Sequence, residues 1–569
     1  MNHQDYSGIF TASSATPSSE EDVLIVSPGF ETQSLLDSIY AATLEGIGSN
    51  KFMTTYCVNL ERLSIQAHLT AGVISASQST VVGTTSSIGV FASLGGGAYE
   101  EYIVEAFVEN TDKLEDLIKT LLALEYWRDN VLFQKGKGSK VKNEEDEEVE
   151  FEIEGGERDE LLDAYDSLND VDGGEDVDDT FVTKGLASLL AENGNSLRAA
   201  FILHAETTIV AVLNLVFYKG IPPAFLEGDG DQFLLSLVDY CARQLVFLGT
   251  PEGSNPALHR QKSPLSTSNM STYLETRSRL DEIQDSVHDE SYKTAIATVS
   301  LARYLCENVE ELPASIVSRM LEVQDFPLLM VPLIEEPPWT RRRQVEQKKD
   351  DNRTITKNVW EKLNDNNEWS EVFPKDLLVL TQIEGQPWLA LYHLTVSKVC
   401  RESYRLDEFR KAQLMRLRRY IHEALMDQLP VLQEVARYCD ELSLLGVGQN
   451  SSSGMLLQRV DSLRESVCIH DDENTIAKKQ WDDIFSRVTD KNDEELKRIA
   501  FDVYGGPGRD DDDNEEDSHK RVIDDLQAPL SQMTLDQVTL HLEGQEGSSA
   551  MTFELREADG TGTDGGPVE

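Results

Sequence analysis

The sequence predicts an all-α fold, an irregular armadillo/HEAT-like helical array with a long acidic disordered loop and tail. Three observations predict it. Apolar residues recur at helical spacing through most of the chain, the main body shows no strand set alternating with helices, and the negative charge is concentrated in two stretches. At 569 residues and 40% hydrophobic content the chain has length and apolar material for two or three domains.

The helices justify themselves one at a time. In Asp112 to Phe133 the residues Leu114, Leu117, Ile118, Leu121, Leu122 and Val131 follow the i, i+3, i+4, i+7 template, with Asn110 or Thr111 placed to cap the start. Leu406, Phe409, Leu414, Leu417, Ile421, Leu425 and Leu429 repeat the pattern until Pro430 ends one helix and opens the next, Val431 to Leu445. The same spacing predicts helices over Leu35–Ile47, Val58–Ala76, Leu186–Lys219, Phe233–Leu248, Thr272–Asn308, Ala314–Val323, Leu377–Val396 and Ala477–Val503. Strand-like exceptions are short: Val23–Val26, Val81–Ala92, Gln537–Leu542 and Met551–Leu555. No fixed repeat period is visible, so the array is expected to be irregular. Breaks are expected at Gly136–Asp179, Thr250–Thr272, Arg341–Thr356, Gly446–Gly454 and after Gly505.

Charge refines the division. The chain carries 102 acidic against 51 basic residues, a formal net charge of -51, which argues against a general nucleic-acid or anionic-membrane binder. Between Glu144 and Asp179 there are 19 acids and one base, and between Asp502 and Glu569 there are 18 acids and 4 bases. Such density repels itself and stays solvated. The expected organisation is a disordered N-terminus (1-22), an N-terminal helical region (23-135), the acidic loop (136-180), a helical-repeat-like region (181-504) and an acidic tail (505-569). Two basic clusters oppose this charge, at Lys398 to Arg419 and Trp339 to Lys357; they are places where an acidic partner or the acidic loop can dock, or simply solvated faces.

Catalytic templates fail on named residues. An EF-hand start at Asp170-Val171-Asp172-Gly173 would need an acid at Leu168, and Gly95-Gly96-Gly97 is not followed by a phosphate-binding Lys-Ser/Thr. Gly446-Val447-Gly448 lacks its third glycine because Ser451 stands there, and there is neither an H-E-x-x-H nor a G-x-S-x-G sequence. The six cysteines are far apart, so neither a disulfide framework nor a zinc module is written in their spacing, and a reducing compartment is expected. No basic leader followed by an apolar run opens the sequence, and no stretch approaches a membrane span. The expectation is therefore a soluble, cytoplasmic, non-enzymatic protein with no catalytic residue, no metal and no cofactor.

The aromatic junctions supply the candidate partner-binding residues. Trp339 follows Pro337-Pro338 and precedes Arg341 and Arg342, while Trp388 stands where Pro387 opens a helix. Trp and Arg carry most interface energy, although tryptophans at helix junctions also serve as core fillers.

A family resemblance rests on the same junctions. Ser318-Arg319-Met320-Leu321, Phe326-Pro327-Leu328-Leu329 and Pro338-Trp339-Thr340-Arg341-Arg342 stand in order with further blocks. These are Asn59-Leu60-Glu61-Arg62-Leu63, Glu125-Tyr126-Trp127, His204-Ala205-Glu206 with Val216-Phe217, and Leu237-Val238-Asp239-Tyr240-Cys241. Gln386-Pro387-Trp388-Leu389-Ala390-Leu391-Tyr392 and Asp427-Gln428-Leu429-Pro430 complete the set. Together they resemble the zinc finger MYND domain-containing protein 10 family, axonemal dynein arm assembly factors, over roughly Val23 to Leu445. The family's C-terminal zinc finger is a cysteine cluster, and no cysteine follows Cys468, so zinc is not expected.

The resemblance implies a cytoplasmic scaffold or co-chaperone for preassembly of axonemal dynein arms in ciliary and flagellar motility. Its implied partners are Hsp90 and immunophilin-type chaperones, a leucine-rich-repeat assembly factor, and axonemal dynein heavy and intermediate chains. A general helical-repeat adaptor of another complex is the alternative. Trp339, Arg341, Arg342, Trp388, Tyr392 and Gln428 are the candidate partner-binding surface or its support.

Overall fold

A computed structural model describes residues 26–70, 102–133, 180–193, 196–226, 230–250, 278–348, 354–364, 369–444, 461–468 and 473–487. The acidic loop and tail, Val81–Ala92, Gln537–Leu542 and Met551–Leu555 lie outside the described residues, as does all of Val23–Val26 except Val26. The helices are α1 (Phe30–Asp37), α2 (Val58–Thr70), α3 (Tyr102–Glu109), α4 (Thr111–Tyr126), α5 (Thr180–Glu192), α6 (Ser196–Tyr218), α7 (Pro223–Leu226), α8 (Asp231–Gly249) and α9 (Arg279–Glu307). They continue as α10 (Ala314–Ser318), α11 (Phe326–Glu335), α12 (Gln382–Val396), α13 (Lys398–Ser403), α14 (Glu408–Arg416), α15 (Glu423–Gln428), α16 (Leu432–Leu444), α17 (Ser462–Cys468) and α18 (Glu473–Asp483). The fold is mostly α-helical, as the periodicity predicts.

The order of packing is not that of a linear stack. Helix α9 lies against α5, α6, α8 and α12, so one long mid-chain helix is enclosed on several sides. Its start is fixed by a capping box in which Ser278 and Asp281 exchange backbone and side-chain hydrogen bonds. Helix α12 then bridges α9 to α11 and α16, while α17 and α18 return to the N-terminal half and pack on α4, α5 and α8. In a solenoid each repeat touches only its neighbours, and here the two ends of the described chain meet. Gly48 permits that meeting: its φ is +85°, and a Cβ there would lie 2.7 Å from the Phe485 ring.

Helix α6 explains much of the core. Its stretch Arg198–Tyr218 has mean hydropathy 1.8 and, among the described residues, is the one helix long and apolar enough by length and composition to cross a membrane. That corrects the expectation of no such stretch. The helix is apolar nearly all round because α2, α4 and α9 pack against it, and 61% of its apolar window is buried.

Several boundaries move for local reasons. The helix expected over Leu35–Ile47 stops at Asp37, and Leu44–Gly46 forms a single 3-10 turn instead. The long helix expected to end at Pro430 divides into α14, a 3-10 turn at Leu417–Arg419, and α15, where His422 accepts from the Leu425 amide and restarts the helix. At Asn110 the side chain donates back to Ala106 O, 2.8 Å away, and makes no cap bond.

The clearest correction lies at the expected break Arg341–Thr356. Strands β1 (Thr340–Lys348), β2 (Thr354–Leu363) and β3 (Trp369–Val372) form a three-stranded antiparallel sheet in the order β1-β2-β3. Ile355, Val359 and Leu363 share one face of β2 with Lys357 and Glu361, so the segment has no clean two-residue alternation; its β-branched and aromatic residues Thr354, Ile355, Thr356, Val359 and Trp360 are the trace of a strand in the sequence.

Candidate functional site

The helix-to-sheet junction at Trp339 builds the site. Pro337 and Pro338 stop α11, and the chain turns through Trp339, whose carbonyl accepts from the Leu363 amide at 3.0 Å and so starts the sheet. Trp339 is 2% exposed, and its indole Nε1 has no hydrogen-bond partner among the described residues. Trp388, buried on α12, faces the same open pocket of about 150 Å³. Leu333, Ile334, Leu378, Leu380 and Leu425 supply apolar walls, and Lys362, Glu384, Tyr420 and His422 supply polar ones.

An ion pair holds one wall. Lys362 Nζ donates to Glu384 Oε2 at 2.9 Å, to Leu377 O at 2.7 Å and to Val379 O at 2.9 Å, which uses all three ammonium protons. Glu384 Oε2 also accepts from the Thr381 amide at the start of α12. The pair is nearly enclosed, so its bonds offset a large desolvation cost and fix segment 377–381 against the sheet. Gln428 holds the other side, accepting from the Leu380 amide at 2.9 Å and donating to Leu378 O at 2.8 Å. Between these anchors Leu378 and Val379 remain 57% and 56% exposed, an apolar lip on the pocket.

The structure therefore brings Trp339 and Trp388 together and places Gln428 behind the lip as support. The other predicted residues lie elsewhere. Arg341 donates to Glu361 Oε2 at 2.6 Å and stacks 4.1 Å from the Trp369 ring centroid, while Arg342 is exposed over Trp360 at 4.6 Å. Tyr392 is half-buried against His393 and does not line the pocket. Sequence reasoning missed Lys362, Glu384 and Leu378, whose roles depend on a sheet that it did not draw.

The expected docking of acidic segments on Lys398–Arg419 meets a physical obstacle. Glu322 and Asp325 bind Arg410, Glu335 binds both Arg416 and Arg419, Asp440 binds Arg418, and Glu441 lies 3.6 Å from Arg401. Much of that positive charge is engaged within the fold. The Cys57 and Cys241 thiols are raised far above their ordinary range by burial, which holds them as thiols. Among the described residues, no group of three or more His, Cys, Asp or Glu side chains is placed to hold a metal ion.

The chain is 26% identical over 305 residues to the zinc finger MYND domain-containing protein 10 homolog of Drosophila melanogaster. This chain is a relative of the zinc finger MYND domain-containing protein 10 family. The match covers 52% of this chain and 59% of that protein, so it spans little more than half of either. No family model and no solved structure matches.

Proposed function

We propose that this chain is a non-enzymatic cytoplasmic scaffold that acts as a co-chaperone in the preassembly of axonemal dynein arms for cilia and flagella. The family relationship over 305 residues carries the reading. In this role the chain holds axonemal dynein heavy and intermediate chains beside Hsp90 and immunophilin-type chaperones and a leucine-rich-repeat assembly factor. The interwoven core supports such a role, since a rigid body presents its surfaces at fixed separations. The pocket between Trp339 and Trp388 is a contact point for a partner's apolar side chain, with the Leu378–Val379 lip as the part a partner reaches first. No cofactor enters this role.

The test is co-purification of tagged protein from cells that are building flagella, at moderate salt, with mass spectrometry of what is retained. Axonemal dynein chains recovered with Hsp90-type chaperones support the proposal. Recovery of neither, with a different stable complex in their place, favours a general adaptor.

A further inference from the structure

Strand β1 is an edge, and its hydrogen-bond parity can be read from the register. The Leu363 amide bonds to Trp339 O, and Trp339 and Leu363 continue the register that pairs Thr340 with Lys362. In an antiparallel ladder the bonded pairs alternate, so Arg341, Arg343, Val345 and Gln347 turn their main-chain groups toward β2. Arg342, Gln344 and Glu346 turn theirs outward. Among the described residues, no main-chain bond from another segment reaches those outward groups. The Thr340 amide is closed off by Pro337 O at 3.2 Å, so the open ladder begins at Arg342.

The charge along that edge is unbalanced. Arg341 and Arg343 share one carboxylate, Glu361, at 2.6 Å and 3.5 Å. Arg342, on the opposite face, makes no ion pair among the described residues and rests on Trp360. The face that carries Arg342 thus presents an exposed guanidinium at the start of the strand. Charged residues on an edge ordinarily guard it against indiscriminate pairing, and here the guard has one sign. An acidic strand neutralises this charge, while an antiparallel second copy centred on Gln344 would set Arg342 opposite Glu346 and is told apart by sedimentation.

We propose that the outer edge of β1 accepts an extended acidic segment of a partner protein as an added strand. The main chain of that segment bonds to Arg342, Gln344 and Glu346, and its carboxylates meet Arg342 and Arg343. Main-chain pairing supplies affinity and the arginines supply selection. The inference rests on the proposed role as a protein-binding scaffold and names a mode of binding for it.

The test uses the purified full chain and a fluorescein-labelled peptide of alternating Glu and Thr, about eight residues long to match an edge strand, followed by fluorescence anisotropy. Gln344→Pro removes only an outward amide, so the β1–β2 ladder keeps its bonds. Circular dichroism checks the fold, and Arg342→Glu provides a variant with an unaltered backbone. The proposal expects each variant, and N-methylation of the peptide's central amides, to weaken binding by at least about tenfold, a loss of about 1.4 kcal/mol. Equal binding by the N-methylated peptide, or no binding to the wild-type chain, overturns strand addition. A dimer in sedimentation that Gln344→Pro dissociates also overturns it, by assigning the edge to a second copy. These readouts use no cellular client, so their failure is separate from failure of the co-purification experiment.

Discussion

The Trp127 indole donates a 2.8 Å hydrogen bond to Gln480 Oε1, across 353 residues of sequence, inside the core where α18 returns to the N-terminal half. The Gln480 amide is spent as well, since Nε2 donates to Leu44 O at 2.5 Å and lies 3.4 Å from Ile47 O. One buried side chain thus joins the turn at Leu44–Gly46, the end of α4 and helix α18. Gln480→Leu keeps much of the volume and leaves the indole and Leu44 O without partners, an expected cost of about 2–4 kcal/mol. A urea titration followed by tryptophan fluorescence measures it; an unchanged midpoint would show that water replaces the amide.

A second prediction concerns pH. His204, on α6, lies 3.5 Å from Glu61 on α2 through Nε2 and 3.5 Å from Glu290 on α9 through Nδ1. Burial by itself lowers a histidine pKa, but the two carboxylates outweigh it and raise His204 to about 10. Glu290, whose burial acts upward, is drawn down to about 2 by Lys293 and His204. The folded pKa of His204 lies above its unfolded value, so its stabilisation is complete below pH about 6.5 and declines as pH rises toward about 10. The limiting slope is about 1.4 kcal/mol per pH unit, reduced by solvent because the ring is 34% exposed. Stability curves at pH about 6, 8 and 10, which span the unfolded value of a histidine and the folded value of His204, should converge for wild type and His204→Gln as pH rises. Parallel curves would show that His204 is not a cation in the fold.

Much of the helical architecture was legible because its cause is local. The apolar spacing from Leu114 to Leu122 places all of those leucines and Ile118 in the core, as the periodicity requires. Gln480 was not legible, since it occupies an inward position beside Ile476 and Ala477 and its reason for being polar lies in a distant indole. The hairpin was missed for a different reason. Arginines and lysines at Arg341–Lys349 read as a solvated break, whereas Glu361 and the rings of Trp360 and Trp369 accept that charge from the neighbouring strands. The candidate site was half visible, because its tryptophans mark helix junctions while Lys362 and Glu384 acquire their roles only across the sheet.

Lys362→Met tests how that wall is held. The substitution keeps the aliphatic stem but abandons Glu384 in an apolar setting and frees Leu377 O and Val379 O. The expected loss is about 3–5 kcal/mol, read from chemical denaturation, with faster proteolysis near residue 378. Combining it with Glu384→Leu should restore part of the stability, since both charges are then gone. A double variant no better than the single one would place the damage in the two carbonyls.

The pocket itself is tested by separating its lip from its wall. Trp388 is buried and Leu378 is not, so the two residues answer different questions. Trp388→Ala removes a buried ring and should cost about 3–5 kcal/mol in a thermal or denaturant melt, so that a weakened partner interaction in that variant reports folding as much as contact. Leu378→Asp changes an exposed side chain whose backbone is already fixed by Gln428, and should alter stability by no more than about 0.5 kcal/mol. If the lip is where a partner's apolar side chain enters, Leu378→Asp lowers the yield of co-purified partners while the melting curve stays in place. Undiminished recovery with the aspartate in place would move the contact away from the pocket and leave Trp339 and Trp388 as packing between α11, α12 and the sheet.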